Sequence, residues 1–366
     1  MRPEVIELMA EVLREDFGNP SSIHHHGRKA KSIIENARKI VAKAINASIG
    51  EVFFTSSATE ANNMIIKNSV QGLGIKRIIS SPTEHHCVLH SLEYLTLNKK
   101  CQVDYVRVDK FGSIDYNHLA TLLKSSDLKT MVSIMHGNNE IGTMADINKI
   151  GLVCKEHQAL FHCDTVQTIG KYPVDVQASH ISFLSGSAHK FHGPKGVGFV
   201  YISNDNIISP FIHGGAQERN MRAGTENVAG IAGLAKALEM TLENMDSYRN
   251  RILHLRQIFK QQLETELDDI QFNGTQDELF LAHVLSVSFP PGPKADMLVM
   301  NLDIAGISAS SGSACSAGIE EDSHVLLAIG HPVVRKTIRF SFCAFNTEEE
   351  IHYTMEKLKG MTGQRT

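Results

Sequence analysis

Four polar clusters in this sequence carry side chains suited to covalent chemistry on a bound group. In SGSAHKFHGPKGVG, Lys190 sits in a glycine-rich turn beside His189. Partial burial there would lower the pKa of its amine and make it a nucleophile able to form an imine; a lone lysine is otherwise a solvated surface charge. In FHCDTVQ, Asp164 could hold a protonated ring nitrogen and keep the ring electron-withdrawing, where the plain alternative is a helix cap. In FTSSATEAN, backbone N–H groups and the Thr59 hydroxyl form an anion cup at a helix start, and taken alone Ser57 or Thr59 is an ordinary N-cap. In SSGSACSAG, Cys315 stands in a run of small residues from Ser308 to Gly318 without apolar packing partners, which separates it from a core thiol.

These clusters need elements that hold them together. GRKAKSIIENARKIVAKAIN repeats Ile33, Ile34, Ala37, Ile40, Val41, Ala44 and Ile45 at helical spacing, so one face is buried. The apolar runs EVFFT, KRIISS, VDYVRV, TMVSIMH, LFHCD, ISFLS and GVGFVYI read as strands, mostly separated by helical stretches such as VLHSLEYL and INKIGLVCKEH. That alternation predicts an α/β fold with an open, largely parallel sheet covered by helices on both faces. Ligands of such sheets bind beyond the carboxyl ends of the strands, and TSSATEAN, SPTEHH, HGNNE, DTVQ and SGSAHK each follow a strand. After about Met245 a long helix, YRNRILHLRQIFKQQLETEL, leads into strands IQFNG and VLSVSF, a helix DMLVMNL, the serine-rich loop and strand TIRFSF. The last helix opens with NTEEEI, where Asn346 or Thr347 can cap. The expected division is a large domain over 1–245 and a smaller α+β domain over 246–366 that carries the loop 308–318.

With 366 residues, 42% hydrophobic and 21% charged, the chain has ordinary globular composition. No apolar run approaches the roughly 20 residues of a membrane span, and MRPEVIELMAEVLRED is acidic and amphipathic rather than a secretory signal. The expected location is the cytoplasm, without a membrane partner. A net charge of -4 without a basic stripe argues against nucleic acid as a direct ligand. The six cysteines show no C-x-x-C pair, so Cys87, Cys101, Cys154, Cys163 and Cys343 are expected to be reduced, buried, small apolar residues. A zinc enzyme is the competing class, since His86 and His90 lie one helical turn apart and His24, His25 and His26 form a run. The glutamate that H-E-x-x-H requires after His86 is missing, however, and no structural metal ligands are expected.

FTSSATEANN, TEHH, VSIMHGNNEIG, HCDTVQTIGK, SAHKFHGPKGVG, HGGAQERNMRAGTEN, SSGSACSAG and IRFSF, in this order and at these separations, resemble the cysteine desulfurase family of fold-type I pyridoxal-phosphate enzymes. The likeness runs over nearly the whole chain. It implies pyridoxal 5'-phosphate as cofactor, Lys190 as its Schiff-base lysine, Asp164 as the partner of the ring nitrogen, His85 on the ring face as an acid-base group and Gln167 on the phenolic oxygen. It further implies Ala58, Thr59, Ser187 and His189 on the phosphate, with Thr225 reaching the same phosphate from the second subunit of a homodimer. Arg339 would take the substrate carboxylate with its planar fork, and Asn139 would lie between substrate and cofactor. Cys315 would accept sulfur from L-cysteine as a persulfide, leave alanine, and pass the sulfur to an iron-sulfur scaffold protein or another acceptor. Its only expected metal contact is with a transferred iron-sulfur cluster.

SSGSACSAG resembles the long loop of the branch serving iron-sulfur assembly. The family pattern begins with a strand and an asparagine-alanine-threonine turn before the segment that matches MRPEV, and it often has a basic residue where SFCAFN follows Arg339. GMTGQRT is a shorter tail than that of members that dock a scaffold through an extension. Two alternatives stay open from the residues: an aminotransferase or a selenocysteine/cysteine lyase of the same fold, for which Cys315 is dispensable, and an inactive truncated homologue acting as a binding partner.

Overall fold

The computed structural model describes residues 1–206, 208–276, 278–311 and 323–362. They form two compact units. The first comprises Met1–Val106, Tyr116–His136 and Asp146–Met245; the second comprises Arg107–Asp115, Gly137–Ala145 and Asp246–Thr366. The last segment of the first unit ends at Met245 and the last segment of the second begins at Asp246. The two short segments that join the second unit from inside the first carry no compositional mark.

In chain order the first unit contains α1 (Pro3–Glu15), α2 (His25–Ala44), β1 (Val52–Thr55), α3 (Ala58–Gly72), β2 (Arg77–Ser80), α4 (His86–Leu97), β3 (Gln102–Tyr105), α5 (Tyr116–Lys124), β4 (Thr130–Ser133), α6 (Ile147–Glu156), β5 (Leu160–Asp164), β6 (Phe183–Ser187), β7 (Gly198–Ile202) and α7 (Val228–Glu243). The strands make a seven-stranded sheet in the order β1-β7-β6-β5-β4-β2-β3. Neighbours from β3 to β6 pair in parallel, while β7 runs antiparallel to both β6 and β1. β1 therefore runs with β2, β4, β5 and β6, and all five carboxyl ends open on one edge. β1, β2, β4, β6 and β7 are buried at every residue, as strands covered on both faces must be. Ile65, Ile66, Ile78, Leu92, Met131 and Phe183 belong to one core cluster beneath α3 and α4.

The second unit holds α8 (Met245–Glu266), β8 (Gln271–Asn273), β9 (Val284–Phe289), α9 (Pro293–Asp296), α10 (Leu298–Ile304), β10 (Ser310–Ser311), α11 (His324–Ala328), β11 (Lys336–Ser341) and α12 (Glu348–Thr362). Its antiparallel sheet has the order β10-β11-β9-β8. Because side chains alternate along a strand, Leu285, Val287 and Phe289 of β9 and Ile338 and Phe340 of β11 pack with Leu255, Phe259 and Leu263 of α8 and Ile351, Met355 and Leu358 of α12. The intervening position, Arg339, belongs to the opposite face, paired with Ser286 and Ser310. Thr347 caps α12 by accepting from Glu350 N at 3.2 Å.

Candidate active site

The anion cup is built where β1 gives way to α3. Ser57 caps the helix, its hydroxyl accepting from Glu60 N at 3.3 Å, and the Glu60 carboxylate accepts from Ser56 N at 2.9 Å. The first-turn amides of Ala58 and Thr59 have no acceptor within the helix, and the positive end of the α3 dipole favours an anion there. Thr55 pairs with Gly198 and Gly198 with Ser187, so three strands bring Ser187 into the same row as the start of α3. Gly198 is required for this approach: a Cβ there would lie 2.6 Å from Gly186 O and 2.9 Å from Ser57 C. The Ser187 hydroxyl and His189 Nδ1 are 3.0 Å apart. Burial, with the charges of Lys190, Lys195 and Lys171, lowers the His189 pKa. Burial and the Lys190 charge also bring the Lys171 amine down to about 7, while its Nζ donates to Gln167 O at 3.3 Å. Several lysine charges thus act on the turn Ala188–Phe191, which carries Lys190 directly after β6.

Asp164 ends β5 and is 7% exposed. Its Oδ2 accepts from Asn62 Nδ2 at 2.7 Å and its Oδ1 from Val166 N at 3.0 Å. Asn62 also contacts Cys87 Sγ at 3.3 Å, and Cys87 Sγ lies 3.1 Å from His85 Nδ1. His85 is the N-cap of α4, its Nδ1 accepting from Cys87 N at 3.2 Å. Thr59 is a hydrogen-bond partner of the Cys87 thiol. Asp164, His85 and Thr59, 105 residues apart at the extremes by their numbering, are thereby joined through Asn62 and Cys87.

In the second unit, Arg339 Nη1 donates to Asn139 O at 2.8 Å. The preceding Asn138 accepts from Glu140 N and Ile141 N at 2.8 and 3.0 Å, closing a tight turn that fixes that carbonyl. Cys315 lies outside the described residues.

The family model for aminotransferase class-V matches residues 1–354. The chain belongs to that family. It is 43% identical over 366 residues to cysteine desulfurase IscS of Dictyoglomus turgidum, covering 98% of this chain and 91% of the relative. It is 42% identical to putative cysteine desulfurase IscS 1 of Bacillus subtilis, covering 96% and 93%. Among solved structures, a NifS-like protein superposes with a TM-score of 0.90 at 38% identity over 99% of this chain and 96% of that one. A structure described as SspA in complex with cysteine gives 0.80 at 29% identity over 95% and 97%.

Class-V aminotransferases and cysteine desulfurases use pyridoxal phosphate, and the residues present fit it. A helix start beside several lysine charges suits a phosphate, a carboxylate with two fixed N–H donors suits a pyridinium, and an amine stands in the turn after β6. Thr225 is exposed and takes no part in these hydrogen bonds. Cys101, Cys154 and Cys163 are buried free thiols, whereas Cys343 is only partly buried and Cys87 departs from the apolar expectation, standing half-buried among Asn62, His85 and Thr59. His24 of the histidine run serves as the N-cap of α2, accepting from Gly27 N at 3.3 Å. Asn62, Cys87, His162 and Lys171 were not foreseen as site residues. For His162 a signal existed, since it is two residues before Asp164 on a strand and therefore on the same face.

Proposed function

We propose that this chain is a cysteine desulfurase that converts L-cysteine to L-alanine and hands the sulfur, as a persulfide on Cys315, to an acceptor protein for iron-sulfur cluster assembly. The observation that carries this reading is the row Thr55, Gly198 and Ser187, which sets an anion cup beside the Lys190 turn in a chain 43% identical to a cysteine desulfurase. Pyridoxal phosphate, when bound, supplies an imine-forming aldehyde and an electron-withdrawing ring. By this reading Lys190 anchors it, Ala58, Thr59, Ser187 and His189 hold its phosphate, Asp164 its ring nitrogen and Gln167 its phenolic oxygen, with His85 against the ring face. Thr225 of a second subunit completes the phosphate site, which makes the working form a homodimer.

Arg339 binds the substrate carboxylate through two parallel N–H bonds, and Asn139 lines the substrate. The Lys190 amine would take the substrate alpha proton and later return it, and His85 would move protons at the substrate. The Cys315 thiolate attacks the substrate sulfur: an S–S bond forms, the C–S bond breaks with its electron pair left on carbon, and protonation of that carbon together with return of the alpha proton from Lys190 gives alanine. An acceptor thiol then takes the outer sulfur. Among the described residues no helix is long and apolar enough to cross a membrane, which agrees with a cytoplasmic enzyme.

Incubation with L-cysteine and no keto acid tests the reading. Alanine and sulfane sulfur in equal amounts are expected, with one added sulfur on Cys315 by mass spectrometry. Borohydride is expected to fix the pyridoxyl group on Lys190; a label on Lys195, or on no lysine, overturns that assignment. Cys315→Ser should stay yellow and lose sulfur release, whereas alanine and sulfide at the parent rate would make the chain a lyase.

A further inference from the structure

Beneath the groups assigned to the cofactor runs a buried chain of side chains whose protons can be placed one after another. The chain starts from Asp164, which as a carboxylate has no proton and can only accept. The Asn62 atom 2.7 Å from it must therefore be the amide nitrogen, which turns Asn62 Oδ1 toward His162 Nε2 at 3.1 Å. An oxygen cannot donate, so His162 carries its proton on Nε2. Its Nδ1 then accepts from the Ser133 hydroxyl at 2.9 Å. His162 has no exposed surface, and burial lowers its pKa to about 3, so the ring stays neutral and keeps one donor and one acceptor.

The same logic runs the other way from Asn62. Its second N–H points to Cys87 Sγ at 3.3 Å, and burial pushes that thiol up to about 12, so the sulfur keeps its hydrogen. The Thr59 hydroxyl, like Asn62, donates to the sulfur, so the S–H has His85 Nδ1, 3.1 Å away, as acceptor, and Cys87 N–H donates to the same nitrogen at 3.2 Å. Two donors on Nδ1 leave the His85 proton on Nε2.

We infer that Ser133, His162, Asn62 and Cys87 are positioning residues, forming one directed hydrogen-bond chain that fixes the carboxylate orientation of Asp164 and the Nε2–H tautomer of His85. This rests on the reading of Asp164 and His85 as the ring-contacting groups. His85 enters the reaction as an N–H donor, and takes up a proton only on Nδ1, against the α4 amide and the Cys87 thiol. Without His162 the Asn62 amide can rotate and present its oxygen to Asp164. Without the Cys87 thiol, Nδ1 loses one of the two donors that hold it as an acceptor, the other being the α4 amide.

Ring nitrogen-15 spectra of the cofactor-free protein test the proton placement without any turnover. Resonances are assigned with His85→Gln and His162→Gln. Both rings are expected as Nε2–H tautomers, with His162 neutral down to about pH 4; an Nδ1–H form of either ring, or titration of His162 near 6.5, overturns the chain. In the holoenzyme, Cys87→Ala is expected to lower kcat for cysteine at least fivefold with KM within twofold, and Cys87→Ser, which restores a donor to Nδ1, to recover most of it. Parent kcat in Cys87→Ala, or equal loss in Cys87→Ser, overturns the positioning role. Should Cys87→Ala misfold, His162→Asn, which keeps a donor for Asn62, against His162→Phe makes the same comparison. If the parent protein turns over no cysteine, the desulfurase reading fails while the ring spectra still decide the proton chain.

Discussion

Replacing Glu218 by alanine should destabilise the first unit by about 4 kcal/mol. Glu218, Arg219 and Asn220 have φ of 43°, 56° and 65°, three successive left-handed residues none of which is glycine. Such backbone costs roughly 1–3 kcal/mol per residue and persists only where the surroundings impose it. Here they do: Arg38, 2% exposed, donates to both Glu218 oxygens at 2.7 and 2.9 Å and to Val52 O at 2.8 Å, while Phe54 N donates to Glu218 at 2.7 Å. Three bonds to a charged acceptor, at about 1.5–3 kcal/mol each, set an upper bound of roughly 4.5–9 kcal/mol. Removing one partner of a buried ion pair costs about 3–5 kcal/mol. The ion pair therefore outweighs the strain at Glu218 itself. Glu218→Gly, freed of that strain, should be about 1 kcal/mol more stable than Glu218→Ala. In Arg38→Leu combined with Glu218→Ala the losses should not add. Urea unfolding of the parent, Glu218→Ala, Glu218→Gly, Arg38→Leu and the double variant measures all three quantities. A loss below about 1 kcal/mol in Glu218→Ala, or simple additivity in the double variant, would refute the view that this pair holds the segment leading to Arg222 and Thr225.

Acid should unfold the protein early. Burial lowers the His162 pKa to about 3 and that of His136 to about 4. Below the unfolded value near 6.5 the unfolded chain binds more protons, so stability complete above pH 6.5 falls with pH by about 1.4 kcal/mol per unit for each ring, which urea midpoints from pH 7 to 4 will read. Gly198→Ala forces a Cβ against backbone of Gly186 and Ser57. Overpacking of about 1–3 kcal/mol translates into pyridoxal phosphate binding roughly five- to 150-fold weaker, measured by titration of the cofactor-free protein, and parent affinity would show that the cup does not depend on this approach. Arg339→Lys keeps the charge but loses the fork that reaches Asn139 O; KM for cysteine should rise at least tenfold with a smaller change in kcat.

The strands, helices and polar strand ends were legible because their signals are local. EVFF, KRIIS, LFHC and ISFL announce buried strands by composition alone, and the polar residues that follow each must emerge where the strand stops. Cys315 stood out by the poverty of its surroundings. What the sequence alone determined was thus an α/β sheet with chemistry at its carboxyl edge. Tertiary structure alone decided which residues support that chemistry. Asn62 meets Asp164 across 102 positions and His162 across 100, and Arg38 meets Glu218 across 180. Residues 107–115 and 137–145 leave the first unit for the second by contacts that no periodicity encodes. Cys87 read as a small apolar residue because composition reports the average fate of a thiol. Its neighbours, Asn62 one helix away and His85 at the cap of its own, make it a hydrogen-bond donor, since a buried polar atom takes its role from whichever partners the fold sets within about 3.5 Å.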